Sequence, residues 1–149
     1  DGIRDRQARL VGSEMCIRDR VGTILPGSET IMVIDDEEYI LASLQAMLES
    51  LGYSVMNANG GRAAVELYEA QGDAIDLVLL DMIMPDMSGR EVFNRIKTVR
   101  PDAKVILASG YSLNSQAEDV LNRGGSGFIQ KPVDLVHLSQ MIREVLDRP

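Results

Sequence analysis

The chain has 149 residues, 45% hydrophobic and 26% charged, a balance that fits one ordinary globular domain plus an appendage. The net charge of −8 belongs to residues 30–149, where ten Lys/Arg face eighteen Asp/Glu, while five of each sign cancel in residues 1–29. Such an acidic field repels nucleic-acid phosphates, and a chain with no Trp and two Phe offers little for base stacking, so nucleic acid is not an expected partner.

No apolar run reaches the length of a bilayer-spanning helix, and the N-terminus lacks the apolar centre of a signal peptide. Cys16 is the only cysteine and can form neither an internal disulfide nor a metal cluster. A cytoplasmic location without membrane contact is expected. Residues 1–29 read as a non-native or disordered tail and linker. "IRDR" occurs at 3–6 and again at 17–20, and "RLVGSEMCIRDR" (9–20) resembles translated sequencing-adapter read-through. "VGTILPGSE" (21–29) follows as a linker rich in turn formers.

From residue 30 strands and helices alternate. "TIMVI" (30–34) is a short apolar strand ending at Asp35-Asp36. Ile40, Leu41, Leu44, Met47, Leu48 and Leu51 fall at helical spacing, and Gly52 stops that helix. "YSVMNA" (53–58) is half polar and belongs near a sheet edge. Ala63, Ala64, Leu67 and Tyr68 mark a second helix ending at Gly72, before "IDLVLL" (75–80), apolar enough for a strand covered on both faces. Ser88 is placed to cap a third helix with Val92, Phe93 and Ile96 inward and a stop near Pro101. "KVILAS" (104–109) is a second central strand, followed by a polar helix around 113–123 and a fifth strand "GFIQ" (127–130). Val133, Val136, Leu138, Met141, Ile142 and Val145 predict an amphipathic terminal helix. Three glycines in "NRGGSGF" (122–128) predict a loose joint before the fifth strand.

Five βα units in a row imply an α/β, doubly wound (βα)5 parallel sheet of flavodoxin-like type. Ligands of such sheets bind outside the carboxyl ends of the strands. Those ends carry Asp35 and Asp36, then Asp81, Ser109 and Lys131, which a strand order of 2-1-3-4-5 brings into one crevice. Three crowded carboxylates need a counter-charge, and Mg²⁺ with its oxygen preference supplies one. Metal, ammonium and hydroxyl around a carboxylate nucleophile are what a transferred phosphoryl group requires. Each residue alone has an ordinary role as a cap, turn former or solvated charge. Independent caps have no reason to fall at the ends of strands 1, 3, 4 and 5 and to skip strand 2.

The motifs "VIDDEE" (33–38), "VLLDMIMPDMSG" (78–89), "ILASGYS" (106–112) and "FIQKP" (128–132), in that order and spacing, resemble a two-component response-regulator receiver domain over residues 30–148. The resemblance implies that Asp81 accepts a phosphoryl group from the phosphohistidine of a sensor histidine kinase or phosphotransfer domain. It implies Mg²⁺ held directly by Asp36 and Asp81, through water by Asp35, and by the backbone carbonyl of Ile83. Ser109 and Lys131 would contact phosphoryl oxygens, with a cis peptide before Pro132. Ser109 and Phe128 would carry the switch to a downstream protein at the face of helix 4, strand 5 and helix 5. Two versions stay open, a stand-alone receiver and the C-terminal receiver of a hybrid sensor kinase, and "ASGYS", "GFIQKP" and the junction "LPGSETIMVIDDE" resemble the second.

Two rivals share the sheet. A phosphohydrolase resembling haloacid dehalogenases would also form an aspartyl phosphate, but it needs a second carboxylate two residues on, where Ile83 stands. A flavodoxin binding FMN would need a Ser/Thr/Gly-rich loop after the first strand, where "DDEEYI" offers acids. His137, in the terminal helix, reads as a surface histidine and not as a phosphocarrier.

Overall fold

A computed structural model describes residues 23–110 and 115–148. The repeats of residues 1–20, Cys16 and the "YS" of the third motif lie outside the described residues. The elements are β1 (Thr30–Asp35), α1 (Glu38–Ser50), β2 (Ser54–Asn59), α2 (Gly61–Gln71) with a 3-10 turn (Gly72–Ala74), and β3 (Leu77–Asp81). There follow α3 (Gly89–Val99), β4 (Val105–Ser109), α4 (Ser115–Asn122), β5 (Gly127–Gln130) and α5 (Leu135–Leu146). All four strand pairings are parallel, in the order β2-β1-β3-β4-β5. The fold class and strand order are those expected, with the half-polar β2 at an edge.

The two-residue period of the strands builds two cores, one on each side of the sheet. Ile31, Val33, Leu77, Leu79, Ile106, Ala108 and Ile129 meet Leu41, Leu44 and Leu48 of α1 and Leu138, Ile142 and Val145 of α5. Met32, Ile34, Val78, Leu80, Val105 and Leu107 meet the apolar stripes of α2, α3 and α4. Every residue of β3 and β4 is buried, because both faces are covered. In α2 the inward stripe is Ala64, Val65 and Tyr68; Ala63, expected inward, is exposed. Ser88 caps α3 as expected, its hydroxyl accepting from Glu91 N at 3.2 Å.

Three expectations shift. β3 begins at Leu77 and not at residue 75, because Ile75 N closes the 3-10 turn on Gly72 O at 3.1 Å. The glycines of "NRGGSGF" answer to geometry and leave the joint pinned. Gly124 has φ +115°, which disfavours any side chain, and Gly125 N and Ser126 N donate to Val120 O and Val105 O at 3.0 and 2.7 Å. Residues 23–29 are held against the domain. Leu25 N donates to the buried Ser139 hydroxyl at 3.2 Å, Gly27 N to Leu51 O at 3.0 Å, and Arg143 grips the Glu29 carboxylate at 2.7 and 2.9 Å. No helix among the described residues is long and apolar enough to cross a membrane.

Candidate functional site

Parallel register sets the site. Ile34 pairs with Leu80, and Asp35 and Asp81 complete their strands on neighbouring tracks. Asp81 pairs with Ala108 and Ser109 with Gln130, so Ser109 and Lys131 end the next two strands at the same edge. Asp35, Asp36 and Asp81 can each turn one carboxylate oxygen to within 4.8 Å of the others. Asp35 is 1% exposed, Asp81 6% and Ser109 2%, while Asp36 is partly exposed.

Lys131 ties the cluster together. Its Nζ donates to Asp35 Oδ2 at 2.7 Å and to Asp81 Oδ1 at 3.1 Å, and its backbone N–H donates to Ser109 O at 2.7 Å. The Lys131–Pro132 peptide is cis, as the resemblance implies. Glu37 N occupies the other Asp35 oxygen at 3.0 Å, so both oxygens of that carboxylate are engaged.

The electrostatics follow from burial. Burial pushes the Asp81 carboxyl up to about 6; the Lys131 charge works against this, the Asp35 charge with it, and the Ile83 N–H, bonded to Asp81, lowers it. Burial alone would lower Lys131, but its bonds and charges with Asp35 and Asp81 outweigh it and hold the ammonium above its ordinary value. One lysine, bonded to Asp35 and Asp81, thus stands against three acids, which leaves the cluster short of positive charge. That shortage, with oxygen donors from three carboxylates, fits a hard divalent cation such as Mg²⁺.

The other residues singled out in the sequence fall around this centre. The Ile83 side chain is 53% exposed at the rim, and its backbone N–H serves Asp81. Phe128, opposite Leu107 on β5, is partly buried against the core shared by α2, α3 and α4. His137 is exposed, its N–H capped by Asp134 at 2.9 Å, and it takes no part in the acidic site. Beside Lys131 an open, largely apolar groove of about 510 Å³ runs between α1 and the β5–α5 loop, lined by Tyr39, Ile40, Leu44, Met47, Pro132 and Val133 among others.

Sequence reasoning overlooked Asp86. Its carboxylate accepts from Gly61 N and Arg62 N at 3.1 and 3.0 Å, fastening the β3–α3 loop to the start of α2. The available signal was "NGGR" (59–62), a helix start with no side chain of its own at the capping position.

A doubly wound sheet with a buried acid cluster, a bonded lysine and a serine at its carboxyl edge defines an α/β domain built to handle a phosphoryl group. The family model for the response regulator receiver domain matches residues 31–143, and the chain belongs to that family. It is 32% identical over 126 residues to sensor kinase CckA of Brucella abortus, covering 85% of this chain and 13% of that protein. The chain therefore spans about an eighth of that relative's length. A receiver domain protein of Clostridium thermocellum superposes with a TM-score of 0.77 at 31% identity, over 80% of this chain and 95% of that one. The response regulator TrrA of Thermotoga maritima, solved in complex with Mg²⁺-BeF, gives 0.70 at 30% identity, over 78% and 98%.

Proposed function

We propose that Asp81 is the phosphoacceptor of a two-component switch, charged by the phosphohistidine of a sensor histidine kinase or phosphotransfer domain. The observation that carries this is the Asp81 carboxylate itself, buried at a strand tip with Lys131 Nζ at 3.1 Å and two further acids beside it. One Asp81 oxygen attacks phosphorus, the P–N bond breaks, and its electron pair returns to the imidazole. Lys131 and the Ser109 hydroxyl then pair with phosphoryl oxygens.

Asp36, Asp81 and the Ile83 carbonyl are the residues that would hold Mg²⁺, with Asp35 acting through water. That division suits a buried Asp35 whose oxygens already accept from Lys131 and Glu37 N. Bound there, the ion would offset the charge on the carboxylates and phosphoryl oxygens.

The domain acts as a signalling module and not as an enzyme with its own substrate turnover. Two residues after Asp81, where a phosphohydrolase of the rival type needs its acid, Ile83 sets an apolar side chain at the rim. Phosphorylation draws Ser109 inward and Phe128 into the space it leaves, and a downstream protein reads the change at the α4–β5–α5 face. The small share of sensor kinase CckA that this chain covers supports a receiver carried within a hybrid kinase, on its cytoplasmic side. Intact mass after incubation with a small phosphodonor and Mg²⁺ tests the assignment. Wild type gains one phosphoryl group and Asp81→Asn gains none; an adduct on the variant contradicts it.

A further inference from the structure

The loop 82–88 between β3 and α3 places Ile83, whose N–H bonds Asp81. Its base is closed by Gly89 N donating to Met82 O at 3.1 Å. Its outer end is held from outside the acid pocket. Asp86 Oδ1 accepts from Gly61 N at 3.1 Å and Oδ2 from Arg62 N at 3.0 Å, a cap delivered to α2 from 25 and 24 residues away.

α2 depends on this borrowed cap. Gly60 stands at its capping position with φ +102° and ψ 170°, a conformation close to glycine-only, and has no side chain to cap with. Gly60 N in turn donates to Asp35 O at 3.1 Å. A continuous path therefore runs from the acceptor loop through Asp86 to the start of α2 and on to the backbone of the first acid. The amides of Arg62 and Gly61 hold the Asp86 carboxyl below its ordinary value, as expected of a carboxylate that stays charged in this role.

We propose that Asp86 is a positioning residue for the metal and phosphoryl pocket, holding the loop that carries Ile83 in register with Asp35 and Asp36 through the start of α2. The proposal rests on the reading of Asp81 and its neighbours given above. An ordinary cap would steady α2 alone, whereas this one joins the loop that carries Ile83 to a helix start whose preceding residue, Gly60, is bonded to Asp35. Met82 and Met84 are buried at 3% and 7% exposure, so the loop keeps apolar anchors when Asp86 is removed. Loss of the tether then loosens the position of Ile83 without releasing the loop.

Mg²⁺ titration of the unphosphorylated full chain, followed by amide resonances, tests this alongside thermal melts. Asp86→Ala is expected to weaken Mg²⁺ about tenfold, the usual consequence of removing an outer-shell support of a metal site. Asp86→Asn keeps one accepting oxygen and should lose about threefold. Val65→Ala, a core change in α2 away from the loop, lowers the melting temperature and leaves Mg²⁺ affinity at the wild-type value. If Asp86→Ala melts early like Val65→Ala but binds Mg²⁺ as wild type does, Asp86 is only a helix cap and the proposal fails. Should Asp86→Ala not fold, Asp86→Asn decides alone, and undiminished affinity overturns the idea. Asp81→Asn separates the parent reading: wild-type Mg²⁺ affinity in that variant would move the metal elsewhere, whatever Asp86 does.

Discussion

Replacing Asp81 by Asn should abolish phosphorylation and at the same time make the metal-free domain more stable. Burial holds the Asp81 carboxyl at about 6 against an ordinary 3.8. The difference of about 2 units corresponds to about 3 kcal/mol of destabilisation once the group is ionised in the fold. That difference already includes the attraction of Lys131, and allowing for the desolvation of the Asn amide a net gain of about 1–2 kcal/mol is expected. For a domain of this size that raises the melting temperature by about 3–8 °C. The pH dependence has a definite sign. A carboxyl whose folded pKa is raised is protonated in both states below pH 3.8, so the penalty is absent there, grows between 3.8 and 6, and is complete above 6. Melts of wild type and Asp81→Asn in a chelator should therefore diverge at pH 7.5 and converge near pH 4. Adding Mg²⁺ should raise the wild type and leave the variant unmoved. A variant no more stable than wild type at pH 7.5 in chelator, or an advantage that persists unchanged at pH 4, would refute the reasoning.

Lys131→Ala should still accept phosphate from a small donor, more slowly, but should lose the phosphorylation-induced shifts of α4 and β5 amide resonances; retained shifts would remove its signalling role. Glu29 is held at about 2 by its bond to Arg143, so its contribution is present above pH 4.5 and is lost as pH falls toward 2. Because that carboxylate is 31% exposed, the pair contributes only about 1 kcal/mol, and Glu29→Gln should lower the urea midpoint at pH 7 and match wild type near pH 2. Ser88→Ala removes the α3 cap and should cost about 1 kcal/mol by urea unfolding. An unchanged midpoint would show that Glu91 N finds another partner.

What was legible in the sequence follows from what is local in the physics. β1, β3 and β4 are short apolar runs because both faces of the sheet are covered, and the residue that ends each run sits at the crevice whatever the details of packing. Asp35, Asp81 and Ser109 could therefore be placed from the alternation of elements alone. What was hidden depends on residues far apart in the chain. Asp86 looks like a turn former until α2 is laid beside the β3–α3 loop, and Glu29 looks like linker until Arg143, 114 residues on, turns toward it. The same limit divides "DD". Sequence makes Asp35 and Asp36 equal, but the fold buries the first, fills its two oxygens with Lys131 and Glu37 N, and leaves the second partly exposed. Asp35, with one oxygen on an ammonium and the other on a backbone amide, is the more committed of the pair and a good fixed counter-ion. Its accessible neighbour Asp36 has the opposite balance, and the division of metal contacts proposed above rests on that difference in burial.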